Sequence, residues 1–463
     1  MDYDLIVIGS GPGGYVAAIR AAQLKMKVAV IEKAEPGGIC LNWGCIPTKA
    51  LLKSAQVFDY FNHAADYGIK VEGNIKPDFA SIIARSRSVA ESMSKGIQFL
   101  FRKNSIEMIK GYGRLAGTST VDVEDGLGNR KSIQAKNIII ATGARAKELP
   151  GLKIDGDRII GYREAMTLKE QPRTMVIVGS GAIGSEFAGF YQTLGTKVTL
   201  VEFLPRLVPN EDEEVSKQLE RSFKKTGMTI MTGSEVESVD IAGDVCRVNI
   251  KSKEGNVIAE ADVVLSAVGV TANIEELGLE KAGVETEKGK IRVDEFYRTS
   301  VPGIYAIGDV VKGPALAHVA SAEGIICVEK MAGLGPEPLD YNNIPACTYT
   351  NPEIASCGLT EAAAKEAGYE VKVGKFPFTA SGKASAAGAK EGFVKLVFDS
   401  AYGELLGAHM IGANVTEMIG EIVVARKLET TAHEIIKSVH PHPTMSEAIM
   451  EAAAAAYGEV IHL

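Results

Sequence analysis

Residues Leu5 to Lys33 run LIVIGSGPGGYVAAIRAAQLKMKVAVIEK. They read as an apolar strand, a turn Gly9-x-Gly11-x-x-Gly14, a helix with small residues on one face, and a second strand ending at Glu32. The same pattern returns at Met175 to Phe203, MVIVGSGAIGSEFAGFYQTLGTKVTLVEF, with Gly179, Gly181, Gly184 and Glu202 in register. In both copies the glutamate follows the third glycine by eighteen residues. Such glycines allow a tight turn and bring a pyrophosphate close to a helix N-terminus, while the carboxylate accepts hydrogen bonds from ribose hydroxyls. A single fingerprint is weak evidence. Two in register predict an α/β protein with two Rossmann-like dinucleotide-binding units.

Between the copies, Lys136 to Gly143 (KNIIIATG) is a buried-type strand ending at Thr142-Gly143, and Ala261 to Gly269 (ADVVLSAVG) stands in the comparable place after the second copy. Pro302 to Asp309 (PGIYAIGD) is a further apolar strand whose terminal carboxylate suits a ligand hydroxyl, or simply ends a turn. After about residue 340 the pattern changes to alternating strands near Val371–Pro377, Phe393–Asp399 and Leu405–Ile411, then Ala/Glu-rich helix, which predicts an α+β domain without a glycine fingerprint. The acidic run Glu211 to Glu214 is expected to be a first helical turn capped by Asn210.

The 463 residues are enough for about three domains. With 46% hydrophobic and 23% charged residues the chain is neither disordered nor fibrous. A net charge of −8 lacks the basic footprint that a nucleic-acid backbone requires. No basic n-region precedes the first strand and no apolar stretch reaches membrane-spanning length, so a cytoplasmic location without membrane or nucleic-acid partners is expected. Six cysteines are too few for a secreted disulfide framework.

Only Cys40 and Cys45 are closely spaced, in GGICLNWGCIPTKALL at 37 to 52. An ideal helix separates Cα atoms at i and i+5 by about 8.6 Å, beyond the roughly 7 Å reach of a disulfide. A bridge therefore needs a non-ideal turn, which Gly44 and Pro47 permit. Redox chemistry and two unrelated thiols both remain open on spacing alone. No second Cys/His pair with ligand spacing lies nearby, which argues against zinc, and no metal site is expected. Near the other end lies His440-Pro-His442-Pro-Thr444-Met-Ser-Glu447. His442 with a carboxylate to orient it suits a general base, but Thr444-x-x-Glu447 equally fits a capping box. The remaining histidines, 63, 318, 409, 433 and 462, are expected to be structural.

Taken together, the Gly9 and Gly179 fingerprints, CLNWGC at 40 to 45, GIYAIGD at 303 to 309 and HPHPTMSE at 440 to 447 resemble the pyridine nucleotide-disulfide oxidoreductases. Among these, the match is to members that oxidise dihydrolipoyl groups as the E3 component of 2-oxo acid dehydrogenase complexes, and it runs in order over essentially the whole chain. The resemblance implies an FAD-binding domain at 1–145, an NAD-binding domain at 146–272, a central segment at 273–340 returning to the FAD domain, and a C-terminal dimerisation domain at 341–463. It also implies one non-covalent FAD per subunit, NAD⁺/NADH as the second cofactor, and a homodimer. The partners it implies are lipoyl domains of the 2-oxo acid complexes or the H protein of glycine cleavage.

Carried over by motif, Cys40 would exchange with lipoyl sulfur and Cys45 would face the flavin. His442 would be the base and Glu447 its partner. Lys49 would lie beside the flavin and pair with Glu186. Asp309 would bind the FAD ribitol. Gly113 and Ala317 would contact FAD, and Val236 and Gly269 the nicotinamide dinucleotide. The implied reaction is oxidation of dihydrolipoyl to lipoyl with reduction of NAD⁺. Glutathione or mercuric reduction with NADPH is the rival reading, and Glu202 disfavours it by opposing a 2′-phosphate. A structural flavoprotein without turnover is opposed by the joint presence of Cys40, Cys45, His442 and Glu447. Two departures stand out: Trp43 and Cys357 occupy positions where the family usually has valine.

Overall fold

Each repeat folds as its apolar pattern requires. In the computed structural model, which describes residues 1–463, Tyr3–Ile8 and Val28–Glu32 are parallel neighbours connected by α1 (Pro12–Gln23). Their sheet runs Glu107–Lys110, Val28–Glu32, Tyr3–Ile8, Arg130–Ile140, Thr120–Glu124, Tyr112–Leu115. Ile304–Ala306 joins the same sheet, parallel to Ile138–Ile140, so a segment from beyond the second repeat completes the first unit. Val28–Glu32 is buried throughout, as expected of a parallel strand covered on both faces.

The second repeat makes a five-stranded sheet in the order Thr229–Thr232, Lys197–Glu202, Thr174–Val178, Val263–Ser266, Ile159–Ile160. A three-stranded antiparallel sheet, Glu235–Ala242, Val245–Ser252 and Gly255–Ala261, is inserted before Val263. The chain enters and leaves this unit through one two-stranded ribbon, Ala144–Ala146 against Val270–Ala272.

The third sheet is antiparallel, in the order Ala346–Thr348, Glu353–Gly358, Leu405–Gly412, Phe393–Asp399, Val371–Pro377. Alternating exposure was the expectation for its last strands. Instead, Phe393–Asp399 and Leu405–Gly412 are buried at every residue. The helix Glu447–Ala456 packs on Phe393–Asp399 and a helix of the second unit packs on Leu405–Gly412, so these two central strands are covered.

Further helices are α2 (Gly38–Trp43), α3 (Cys45–Asn62), α4 (Phe79–Lys103), α5 (Tyr162–Ala165), α6 (Ala182–Thr193), α7 (Glu213–Lys225), the short α8 (Leu279–Ala282) and α9 (Ala317–Met331), and the second-unit helix on the third sheet is α7. Helix α7 is capped by Asp212, whose carboxylate accepts from the Glu214 N–H at 3.0 Å, and not by Asn210. The acidic run is also more than a cap. Buried Lys395 on the third sheet meets Asp212 at 3.1 Å, Glu214 at 2.9 Å and Glu361 at 2.9 Å, fastening α7 to that sheet. No helix is long and apolar enough to cross a membrane.

Candidate active site

The two glycine turns have the same construction. Gly9 and Gly179 adopt φ of +102° and +98°, a left-handed conformation that side chains disfavour. A Cβ on Gly14 would stand 2.0 Å from the Gly9 carbonyl oxygen, and one on Gly184 would stand 1.9 Å from that of Gly179. Only glycine lets helix and turn approach so closely. Neither α1 nor α6 has a side-chain cap or an acidic residue in its first turn, which leaves N-terminal N–H groups free for an anion.

Each terminal glutamate is oriented by a serine inside the fingerprint. Glu32 Oε2 accepts from Ser10 N–H at 2.9 Å and Ser10 Oγ at 2.6 Å, and Oε1 accepts from Ala34 N–H. Glu202 Oε2 accepts from Ser180 N–H and Oγ, both at 2.8 Å, and Oε1 accepts from Leu204 N–H. Ser10 and Ser180 carry no assignment in the motif reading, although the repeated Gly-Ser-Gly was the available signal. Arg206 donates to the Pro209 carbonyl at 2.9 Å. The residues at both turns thus fit a dinucleotide.

The other expected cofactor contacts distribute between the two units. A Cβ on Gly113 would stand 3.2 Å from side-chain carbons of Ile8 and Ile31, closer than ordinary contact. Thr142 and Gly143 are locked to Asn273, through Thr142 Oγ–H to its carbonyl at 2.7 Å and Asn273 N–H to the Gly143 carbonyl at 2.8 Å. Asp309 sits in the turn after Ile304–Ala306, where burial raises its carboxyl against the opposing pull of Lys290. Such a group fits a hydroxyl donor from a ligand. Ala317 opens α9. In the second unit, Val236 lies at a β-bulge, and Gly269 accepts from the Lys147 N–H at 3.0 Å.

The cysteine spacing is resolved by Gly44. Helix α2 ends at Trp43 and α3 begins at Cys45, with Gly44 between them at φ −146° and ψ −116°. This break replaces the ideal helical separation and brings Cys40 Sγ to 2.6 Å from Cys45 Sγ. Cys40 donates to Cys45. That hydrogen bond lowers the Cys45 thiol to about 7 against partial burial, with the Lys49 charge assisting, and raises the Cys40 thiol. Cys45 also occupies the first position of α3, where the helix dipole favours a thiolate. One turn further, Lys49 Nζ lies 2.9 Å from both oxygens of the buried Glu186, and over the Tyr349 ring at 4.3 Å. The Tyr349 N–H donates to the same carboxylate at 3.0 Å.

At the other end, Glu447 serves both roles between which the sequence left a choice. Its Oε1 is 2.8 Å from His442 Nδ1, while Oε2 accepts from the Thr444 N–H at 2.8 Å. Burial acts to raise this carboxyl, but those two partners outweigh it and hold it below the ordinary carboxylate range. The bond at Nδ1 leaves Nε2 of the exposed His442 without a carboxylate partner. His440 is tied to Glu421 at 2.8 Å, which raises its pKa. No hydrogen bond or ion pair joins His442 or Glu447 to the cysteines within one chain. The arrangement therefore holds a thiol pair with one lowered member, Cys45, in one place and a carboxylate-oriented imidazole in another.

Residues 3–324 match the pyridine nucleotide-disulphide oxidoreductase family, and residues 344–453 match the dimerisation domain of the same family. The chain is 50% identical over 464 residues to a dihydrolipoyl dehydrogenase of Zymomonas mobilis, covering 99% of each. It is 48% identical to a dihydrolipoyl dehydrogenase of Rhizobium etli, again over 99% of each. The crystal structure of LpdA from Mycobacterium tuberculosis superposes with a TM-score of 0.91 at 29% identity, covering 97% of this chain and 98% of that one.

Proposed function

This chain belongs to the pyridine nucleotide-disulphide oxidoreductases, with a dimerisation domain and a family chemistry that uses FAD and NAD(H), and from that premise we propose that it oxidises protein-bound dihydrolipoyl groups to lipoyl with NAD⁺. The observation that carries the proposal is the Cys40–Cys45 pair, whose sulfurs stand 2.6 Å apart at the start of α3, one turn from Lys49.

His442 Nε2 takes the proton of a dihydrolipoyl thiol, while Glu447 holds Nδ1 and favours the imidazolium that forms. The thiolate attacks Cys40 Sγ of the oxidised pair. The S–S bond breaks, Cys45 leaves as a thiolate, and a mixed disulfide joins Cys40 to the substrate. Cys45 is suited to leave because it stands at a helix N-terminus and close to Lys49, both of which favour its thiolate. The second substrate thiol then attacks its neighbouring sulfur in the mixed disulfide, closing the lipoyl ring; the bond to Cys40 breaks, Cys40 leaves with the electron pair, and the thiol proton passes to the departing Cys40 sulfur. Bound flavin supplies the two-electron acceptor for the dithiol, and NAD⁺ the final hydride acceptor. Gly9, Gly11, Gly14, Glu32, Gly113, Thr142, Gly143, Asp309 and Ala317 would hold the flavin dinucleotide. Gly179, Gly181, Gly184, Glu202, Val236 and Gly269 would hold the nicotinamide dinucleotide.

The cysteines and His442 have no contact within a chain that carries a dimerisation domain, which supports a site completed by the second subunit. The lipoyl domains of 2-oxo acid dehydrogenase complexes, or a glycine cleavage H protein, present the substrate group this chemistry requires. The test is turnover of dihydrolipoamide with NAD⁺ by purified holoenzyme, set against glutathione disulfide with NADPH. NADH formation only in the first assay is expected. Activity confined to the second would overturn the proposal.

A further inference from the structure

Trp43 is the only tryptophan in the chain and stands between the two cysteines, at the end of α2. Its surroundings are unusual. The Arg87 guanidinium, from α4, lies over the indole at 4.4 Å from the ring centroid, and that of Arg163, from α5, at 5.1 Å. The indole N–H donates to Glu35 at 3.3 Å. Arg87 also donates to the main-chain carbonyl of Asn42, the residue before Trp43. The buried Asn42 side chain in turn donates to the carbonyls of Pro36 and Gly38, both at 3.0 Å.

The peptide between the cysteines is therefore held from two sides: its backbone by Arg87, and its side chain by cations from two other helices. Arg163 lies in the second repeat's entry segment, so the contact also ties the cysteine loop to a distant part of the chain. Valine, the usual family residue, has no π face to receive a guanidinium.

We propose that Trp43, held by Arg87 and Arg163, is a positioning residue that keeps the Cys40 and Cys45 sulfurs together when both are thiols and thereby stabilises their disulfide. The inference rests on the reading of Cys40 and Cys45 as the redox pair. Its physical basis is effective concentration. A dithiol already confined near the bonded geometry loses little freedom on oxidation, whereas a loosened loop gives the dithiol more conformations and shifts the balance towards it.

Holoenzyme is equilibrated in glutathione buffers, in which the protein S–S bond breaks as a glutathione S–S bond forms. The two glutathione thiol protons pass to Cys40 and Cys45. Rapid alkylation and mass measurement then give the fraction of reduced pair. Trp43→Val should move the equilibrium about tenfold towards the dithiol, about 30 mV for a two-electron couple. Trp43→Phe, which keeps a ring under the cations, should stay within about twofold of wild type. Should Trp43→Val not accumulate as folded holoenzyme, Trp43→Leu makes the same comparison with less lost volume. An unchanged equilibrium in the aliphatic variant, or an equal shift in Trp43→Phe, overturns the inference. A wild-type pair that never forms a disulfide overturns the underlying reading instead, which separates the two failures.

Discussion

Replacing Lys49 by methionine separates two consequences of one cation. Lys49 supports the Cys45 thiolate and also neutralises Glu186, whose carboxylate is almost wholly buried. The Cys40 hydrogen bond and the Lys49 charge both lower the Cys45 thiol, so it ionises more readily than a free cysteine. Removing the cation leaves the Glu186 charge acting against the thiolate, and the inflection should rise by about one unit, worth about 1.4 kcal/mol. A more basic thiolate is intrinsically more nucleophilic, so the limiting alkylation rate at high pH should increase about threefold while the inflection moves up. Unpairing Glu186 should cost about 1–3 kcal/mol, since it keeps the Tyr349 N–H.

Lys49→Met combined with Glu186→Gln removes the buried charge, so it should recover most of the lost stability and only part of the thiolate shift. Cys40→Ala should raise the inflection further than Lys49→Met, because the Cys40 hydrogen bond is the largest cause of the low value. The assay is iodoacetamide alkylation of the reduced protein between pH 5 and 10, read at Cys45 by mass, with thermal unfolding alongside. An inflection unmoved by Lys49→Met, or moved more by it than by Cys40→Ala, would refute this account of the thiolate.

Three further outcomes follow from other parts of the molecule. A strong preference for NAD⁺ over NADP⁺ is expected, because Ser180 and Leu204 fix the Glu202 carboxylate and Arg206 is engaged by Pro209; comparable kcat/KM values would contradict it. A heterodimer of Cys40→Ser and His442→Gln subunits should recover about half of wild-type activity, whereas each parent homodimer is nearly inactive; verified heterodimers as inactive as the parents would exclude a shared site. Burial pushes the Glu211 carboxyl up to about 7, and one of its oxygens has no hydrogen-bond partner. The stability linked to this raised pKa is fully present below about pH 4.5 and is lost as pH rises through 7, so Glu211→Gln should gain up to about 3 kcal/mol over wild type by pH 8 and little at pH 4. Equal unfolding curves at pH 8 would rule this out.

The α/β architecture was legible in the sequence because its signals are local. Gly9 and Gly14, like Gly179 and Gly184, constrain a turn a few residues long, and backbone sterics allow few other readings. The spacing of Glu32 and Glu202 was legible for the same reason: a strand–helix–strand unit has a fixed length. Where two local geometries suited one motif, sequence stopped short. The five-residue interval between Cys40 and Cys45 fitted either distant or adjacent sulfurs until the Gly44 backbone brought them together. Glu447 fitted either a backbone or an imidazole partner, and the fold gives one carboxylate oxygen to each.

Tertiary structure alone decided the pairings of charge. Lys49 with Glu186 was anticipated only from family likeness, and nothing in the run Glu211 to Glu214 announced Lys395 as its partner. Arg87 and Arg163 reach Trp43 from helices far away in sequence. Spacing along the chain specifies backbone geometry, but which charge meets which depends on the packing of whole elements. A buried charge must find a partner wherever that packing supplies one.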